Sequence, residues 1–265
     1  MTPSSRFWPE IPARGFADTA DWVAVLPLAA VEQHGPHLPT GVDLLIAEAM
    51  VAHTAAALPA TSRAVFLPVM AVGKSNEHIR FPGTLTLGWE TATRWMLEVG
   101  ESVARAGIRK LVMITSHGGN IPPMEIVARE LRAKHDMLAV TTGWGRLRDM
   151  ADLADPQTTA FDIHGGEGET SLMLALRPDL VHMDRADNFI SAQADLAARN
   201  RIVGLHGARA NAGWLAGDLN PAGTVGNAAR ASAERGAEDL RRTIIGFCDL
   251  IAEVEAMPLP QATPK

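Results

Sequence analysis

The sequence predicts an α/β fold, in which helices cover both faces of a largely parallel β-sheet. Short apolar runs alternate along the chain with longer segments of helical periodicity, as in strand–helix–strand units. Polar loops that carry histidine follow apolar runs. In parallel sheets, functional groups lie in such loops, at the carboxyl ends of the strands. No fixed-period repeat or linker divides the 265 residues, so we expect a single domain over 1–265 with a loose tail at 258–265.

Local patterns place the individual elements. Apolar runs bounded by turn residues predict buried strands at 22–28, 64–70, 109–116 and 137–142. Helical character predicts helices at 43–58, 89–106, 124–134, 171–176 and 232–256. Three segments lack a regular pattern: a polar and functional loop at 72–87, an irregular stretch at 145–159, and a Gly-, Asn- and Ala-rich stretch at 184–226 that is expected to wrap the surface.

The composition argues against several classes of protein. The formal charge of −6 and the lack of a basic stripe disfavour nucleic acid and anionic membrane surfaces as partners. No apolar run approaches the roughly 20 residues of a membrane span, and no signal-peptide pattern is present, so a cytoplasmic location is expected. Cys248 is the only cysteine and lies in an apolar helical pattern, so thiol catalysis is not expected. The nucleophile motif G-x-S-x-G and the dinucleotide motif G-x-G-x-x-G are also missing.

The loop after the first predicted strand carries candidate metal ligands. Glu32 and His34 are two residues apart, so both side chains face the same side of an extended chain. Glycine and proline residues then fold the chain back toward Asp43, at the start of a predicted helix. Carboxylates and imidazoles are ligands of borderline divalent metals, so the three residues together predict a metal site. For Asp43 taken alone, capping of the helix is an equally good interpretation.

Later motifs add further candidates. His117 follows the strand at 109–116 in the motif H-G-G-N and is either a metal ligand or a solvated, helix-capping loop residue. His164 precedes a glycine turn, and its imidazole can act as general acid or base beside a metal-bound water. Glu169 lies in a first helical turn, where either metal binding or the helix dipole accounts for a carboxylate. Loops near the predicted mouth carry weaker candidates, which either face substrate or are solvated: Glu77, His78 and Trp144.

These motifs resemble those of the creatininase (creatinine amidohydrolase) family over roughly 22–256. The matching stretches are E-Q-H-G-P-H-L-P-x-x-x-D, F-P-G-T, H-G-G-N and H-G-G-x-x-E-T-S-L-M-L-A-L-x-P-D-L-V. The resemblance implies a three-layer α/β/α sandwich with a two-metal centre (Zn, Mn or Fe) that cleaves a C–N bond. It also implies a small-molecule substrate, namely a small cyclic amide or formamide, and a homo-oligomer, since family members are often hexameric.

The resemblance further implies a role for each matched residue. Glu32 and His117 are expected to bind one metal and His34 the other, with Asp43 as a bridging ligand. His164 is expected to handle the proton in ring opening, and Trp144 and Phe161 are expected to contact substrate at positions where creatininases have tryptophan. Family members act on different bonds, so two alternatives stay open at this point. One is a metallopeptidase that acts on a short peptide, like the mycofactocin-associated member, and the other is a metal-binding protein without turnover.

The chain departs from the creatininase pattern at two positions. Creatininases carry H-Y-E-N, in which the glutamate binds the second metal, and this chain has Gly119 at that position. We predict that Glu169 replaces the missing carboxylate, with Glu167 as the nearest alternative, because Glu169 belongs to the motif that continues into a helix. Ile163 stands where creatininases have a glutamate before the catalytic histidine, which leaves the identity of the substrate open.

Overall fold

Four parallel strands form the central sheet of the protein in a computed structural model that describes residues 2–148 and 161–259. The strands are β1 (Val23–Leu28), β2 (Ala64–Phe66), β3 (Lys110–Thr115) and β4 (Leu138–Gly143), in the spatial order β2-β1-β3-β4. Val23 pairs with both Ala64 and Lys110, so the strands begin at the same level. Their carboxyl ends therefore share one edge of the sheet, where the loops that follow β1 and β3 meet.

Helices cover both faces of this sheet and produce the expected three layers. The described helices are α1 (Val42–Ala57), α2 (Trp89–Arg105), α3 (Ile121–His135), α4 (Glu167–Leu176), α5 (Ala192–Arg199), α6 (Ala216–Leu219) and α7 (Ala233–Ala256). Alternate side chains of each strand serve opposite cores. Val25 and Val112 pack on the side of α1, α4 and α7, whereas Leu26 and Met113 pack on the side of α2 and α3. The predicted fold class is confirmed.

Hydrogen bonds fix both ends of α7. Ser232 caps α7, because its Oγ accepts a hydrogen bond from the backbone N–H of Arg235 at 3.2 Å. At the other end of α7, the buried Lys110 Nζ donates to the carbonyls of Val254 and Glu255 at 2.9 and 2.7 Å. A cation at the carboxyl end of a helix satisfies free carbonyls and interacts favourably with the helix dipole. The first residue of β3 is thereby tied to the last turn of α7.

Some predicted elements differ from those observed. The strand predicted at 64–70 is regular only as far as Phe66, because Pro68 has no N–H to donate, although Met70 N still bonds to Pro27 O at 2.9 Å. The helix predicted at 171–176 begins earlier, at Glu167, directly after a glycine turn whose polar residues hid the helical periodicity. The helix predicted at 124–134 also begins earlier, at Ile121.

The segment predicted to wrap the surface contains short pairs of strands. These are β5 (Asn188–Phe189) with β8 (Gly226–Asn227), antiparallel, and β6 (Val203–Gly204) with β7 (Ala210–Asn211), parallel. Most of the irregular stretch predicted at 145–159 lies outside the described residues, and so do residues 260–265 of the predicted tail. Within the described ranges, every helix lacks the combination of length and hydropathy that a bilayer crossing needs.

Candidate metal centre and active site

A cavity of about 520 Å³ opens at the carboxyl edge of the sheet. Its lining comes from the loops after β1 and β3, the loop at 72–87, the first turn of α1 and the first turn of α4. The five predicted metal ligands meet at this edge in two triads that share Asp43, and a third group joins Glu32 and His34 to His164. One triad is Glu32, Asp43 and His117, and the other is His34, Asp43 and Glu169; within each, the candidate ligand atoms lie within 4.8 Å of one another. Asp43 belongs to both, so the geometry allows it to bridge two ions.

The first triad is held by hydrogen bonds from the loop at 72–87. Ser75 Oγ donates to Glu32 Oε2, which leaves Oε1 facing His117 Nδ1 at 3.2 Å. His117 Nε2 lies 2.9 Å from the carbonyl of Lys74, so it carries the proton and donates. A histidine that donates through one ring nitrogen presents the other as a bare, oriented ligand. Nδ1 of His117 is therefore the nitrogen available to a metal.

The second triad is oriented in a similar way. His34 Nδ1 donates to the carbonyl of Glu32 at 3.0 Å, so His34 Nε2 is bare and lies 3.7 Å from Asp43 Oδ2 and 3.5 Å from Glu169 Oε2. Glu169 Oε2 accepts a bond from Gly165 N at 2.6 Å. The alternative role of Asp43 as a helix cap is wrong, because Gly41 occupies the cap position and no described side chain caps α1.

Three buried atoms of this cluster have no hydrogen-bond partner among the described residues: Glu32 Oε1, His34 Nε2 and Asp43 Oδ2. Such groups are rare in native proteins and call for a specific explanation. All three are good ligand atoms for a divalent cation, and all three belong to the triads. The residues present therefore fit a metal centre.

Electrostatics support the same conclusion. Burial, followed by the charge of Glu32, raises the pKa of Asp43 well above its usual value. Burial also raises the pKa of Glu169. Burial alone would lower the pKa of His117, but the surrounding carboxylates, Glu32 first, raise it to about 10. The cluster thus holds a proton that reduces the repulsion between its carboxylates. A bound cation would relieve the same repulsion, so metal binding would release that proton.

His164, the predicted proton carrier, lies beside the cluster. Its ring centroid is 4.1 Å from that of His34 and 4.1 Å from that of His78. His164 Nε2 bonds to the carbonyl of Gln33 at 2.6 Å, and Nδ1 lies 3.5 Å from Glu32 Oε1. Burial, followed by the charge of His34, lowers the pKa of His164 to about 4. The ring is therefore neutral near pH 7, with Nδ1 free to accept a proton.

Glu77 and His78 face the cluster from the loop at 72–87. His78 Nε2 lies 3.3 Å from Glu32 Oε1, and Glu77 Oε1 lies 3.5 Å from His117 Nε2. A Cβ atom at Gly119 would collide with the Glu77 carboxylate, the His117 ring and the Lys74 carbonyl. The glycine at this position of H-G-G-N is therefore needed to admit the Glu77 side chain from another loop.

Trp144 lies elsewhere than expected. Trp144 is 2% exposed and packs against Phe247, with ring centroids 5.2 Å apart. It lines a second cavity of about 130 Å³, which shares His164 and Glu169 with the large one. Phe161 is not among the described residues that line either cavity. The placement of Trp144 at the mouth of the large cavity is thus corrected, because the turn after β4 directs it toward α7. The roles of Trp144 and Phe161 in binding substrate stay predictions.

The sequence reasoning missed residues that hold the site together. Gln33 Nε2 donates to His78 Nδ1 at 2.7 Å and to the carbonyl of Gly223, so one amide links two loops. Asn120 is fully buried; its Nδ2 donates to Ala29 O at 3.0 Å and its Oδ1 accepts from Lys74 N at 3.0 Å. Both residues belong to the motifs that match the creatininase family, and this membership indicates in the sequence that they matter. The large cavity is also lined by two residues of the surface segment, His206 and Trp214.

Comparison with known proteins decides the family. A family model for creatininase, described as creatinine amidohydrolase, matches residues 5–251. The chain belongs to the creatininase family. Among curated relatives, it is 35% identical to the creatinine amidohydrolase of Pseudomonas putida over 194 residues, which is 67% of this chain and 72% of that protein. It is also 35% identical to the mycofactocin precursor peptide peptidase of Mycobacterium tuberculosis over 167 residues, which is 61% of this creatininase-family chain and 61% of the peptidase.

Solved creatininase structures share the fold. A manganese form and a Zn–Zn form of a mutant each superpose with a TM-score of 0.73 at 27% identity, over 96% of this chain and all of the other. Both the three-layer architecture and the family recognised from sequence motifs are thereby confirmed. Membership of this family indicates a hydrolase, and the buried ligand cluster accords with the metals in those structures.

Proposed function

We propose that this creatininase-family member is a dinuclear metal-dependent amidohydrolase that cleaves a C–N bond of a small cyclic amide or formamide. The observation that carries the proposal is the pair of triads that share Asp43, with unpartnered ligand atoms on Glu32, His34 and Asp43. One ion would be held by Glu32, His117 and Asp43, and the other by His34, Glu169 and Asp43. Zn, Mn and Fe all suit this mixture of carboxylate and imidazole ligands.

Divalent ions at this position would lower the pKa of a water molecule and polarise a carbonyl group. The protein supplies the proton transfer. His164 is neutral near pH 7, because burial and His34 lower its pKa to about 4, and its Nε2 is fixed by the carbonyl of Gln33. Nδ1 can therefore take a proton from the attacking water and pass it to the leaving nitrogen, as a general base and then a general acid.

The size of the cavity favours a small substrate. Its volume of about 520 Å³ falls within the range of ordinary ligand pockets, which is roughly 300–1,000 Å³. The polar groups of its lining include the metal ligands, where the scissile amide would bind. Glu77 and His78 line the same cavity and would contact a substrate that reaches the metals.

The test combines metal analysis with turnover. Protein purified without chelator should contain about two divalent ions per chain, and it should hydrolyse at least one member of a panel of cyclic amides and formamides. Chelation should abolish this activity and lower the melting temperature by several degrees, because bound ions stabilise the native state only. Added Zn or Mn should restore both properties. A metal content near zero that added metal cannot restore contradicts the proposal.

A peptidase is the second candidate, favoured by the 35% identity to the mycofactocin precursor peptide peptidase. The same ligands and the same His164 would serve, since peptide and cyclic amide hydrolysis share the attack of water on a carbonyl. Short peptides therefore belong in the panel. Turnover of peptides without turnover of any cyclic amide would replace the first proposal with the second. Two bound metals without turnover of any compound would favour the non-catalytic metal-binding protein instead.

A further inference from the structure

Two rings that line the large cavity come from outside all the family motifs. His206 and Trp214 lie in the segment between β5 and β8, and both line the cavity that contains the metal ligands. Their ring centroids are 6.0 Å apart with an interplanar angle of 81°, an edge-to-face arrangement. Aromatic pairs favour this geometry, so each ring helps to orient the other.

The backbone that carries His206 is fixed by a buried glutamine. Gln193, in α5, is 5% exposed, and its Oε1 accepts a hydrogen bond from Leu205 N at 2.7 Å. Gly204 packs so closely against the Gln193 amide that a Cβ atom there would collide with it. Ala212 N also bonds to Gly204 O at 2.8 Å and closes the β6–β7 turn. His206 thus extends from a braced turn.

Trp214 is anchored from its other side. The next residue, Leu215, donates its backbone N–H to Asp218 Oδ2 at 2.8 Å at the start of α6. Helix α6 packs against the turn Asn76–His78, and all three residues of this turn line the cavity. The indole is therefore positioned relative to the site by the same loop that braces Glu32 and His117.

The two rings differ in chemistry from the metal ligands that line the same cavity. Among the described lining residues, Trp214 is the only one with an indole or phenyl ring, and the other large apolar groups are Ile121, Pro122 and Ile163. An indole offers a flat face to a planar partner, and an imidazole at right angles offers one donor or acceptor at the edge of that partner. The metal ligands and His164 serve the reacting amide, so these two rings are among the groups left to contact the part of the substrate that does not react.

We propose that Trp214 and His206 are specificity-determining residues that select a planar ring with a polar substituent. Trp214 packs against the face of the ring, and His206 forms a hydrogen bond with the substituent while the ring amide faces the metal ligands. The inference rests on the proposed amidohydrolase function and narrows its substrate class from small amides in general to planar ring amides. An open-chain formamide has no ring face and would gain nothing from Trp214.

The test compares KM and kcat for ring and open-chain probes in the metal-loaded enzyme. Creatinine and hydantoin serve as planar ring probes, and formamide serves as the open-chain probe. Trp214→Ala should raise KM for the ring probes by about tenfold with kcat changed less than about threefold, and Trp214→Phe should recover most of the loss. His206→Ala should raise KM by about threefold or more for probes with a polar substituent on the ring. Metal content and the KM for formamide should not change.

The matched control is Trp89→Ala, which removes a tryptophan that is 60% exposed at the start of α2. It should behave as wild type toward every probe. A titration of intrinsic fluorescence adds a readout independent of turnover. Ring probes should quench the emission of wild type and of Trp89→Ala, and they should lose most of this quenching in Trp214→Phe.

The two proposals fail in different ways. If wild type hydrolyses ring probes and Trp214→Ala does so with unchanged KM, the amidohydrolase proposal stands and the role of Trp214 is refuted. If metal-loaded wild type hydrolyses formamide but no ring probe, the amidohydrolase proposal stands and the selection of planar rings is refuted. If it hydrolyses neither the ring probes nor formamide, the amidohydrolase proposal fails, and the fluorescence titration decides the inference on its own. Equal quenching in wild type and Trp214→Phe, or no quenching in either, then overturns it.

Discussion

The two ligand triads differ in how firmly the protein holds them. In the first, the side chains of Glu32, Asp43 and His117 are 1%, 2% and 5% exposed, and Ser75 and Lys74 brace two of them. In the second, the Glu169 side chain is 26% exposed and its carboxylate accepts one backbone bond, from Gly165. A ligand set that is already ordered loses less entropy on binding, so the first site should bind its ion more tightly than the second.

The difference follows from where the residues originate in the fold. Glu32 and His117 follow β1 and β3, which are neighbours in the sheet with Leu28 paired to Thr115. The sheet register therefore sets the distance between these two side chains. Glu169 comes from the first turn of α4, a helix that is not part of the sheet and packs mainly on α7. Preorganisation is thus greatest where ligands extend from hydrogen-bonded strands.

The largest effect is expected for Asp43→Ala, which removes the residue common to both triads. Both ions should be lost, with activity reduced by more than about 100-fold, as elemental analysis and turnover assays would measure. The metal-free variant should melt no lower than metal-free wild type, because a buried carboxylate whose Oδ2 has no hydrogen-bond partner among the described residues is removed. Glu48→Ala, an exposed carboxylate on the same helix, is the control and should keep both ions. Full metal content in Asp43→Ala would show that the triads are not metal sites.

A smaller and more selective effect is expected for Glu169→Gln. Metal titration of wild type should show a tight and a weaker phase, and this variant should lose the weaker phase together with activity. Glu32→Gln should instead weaken mainly the tight phase. Loss of the tight phase in Glu169→Gln would reverse the order of the two sites.

Glu167→Gln is the control for that experiment, in the same helical turn. Glu167 pairs with Arg235 at 2.9 Å, away from the ligand cluster. The variant should keep both metal phases and lose stability by about 1–3 kcal/mol, because Arg235 is left without its charged partner. Denaturant unfolding of the metal-loaded protein would measure this loss. A change in metal stoichiometry would point to Glu167, not Glu169, as the second-site carboxylate.

The smallest effect is expected for Glu77→Gln, which acts on the first site through His117. Glu77 Oε1 lies 3.5 Å from His117 Nε2, but the Lys74 carbonyl is closer at 2.9 Å and remains to orient the ring. Affinity for the tighter ion should fall about tenfold, as for other groups that orient a metal-binding histidine. A competitive chelator titration measures it, with the exposed Glu90→Gln as control. Unchanged affinity would limit Glu77 to contact with substrate.

Much of the fold was predictable because the signals are local. A parallel strand that is buried on both faces is apolar throughout, as in the run at 109–116. The prediction for β3 therefore agrees with the structure to within a residue at each end. The start of α4 was missed because Glu167 to Thr170 are polar or glycine, and only tertiary packing makes that turn helical. The short strands between 188 and 227 were missed because two-residue pairs have no periodicity to detect.

The sequence by itself determined the four strands, the helices between them, and the family to which the motifs belong. It also supplied the chemistry of the cluster, since Glu32, His34, Asp43, His117 and Glu169 are close in space because their loops leave the same edge of a parallel sheet. Tertiary structure alone decided that Trp144 packs on Phe247, that Glu77 fills the space above Gly119, and that His206 and Trp214 reach the cavity. The reason is physical: strand order and periodicity fix where a loop begins, but the direction of each side chain depends on contacts with residues far away in sequence.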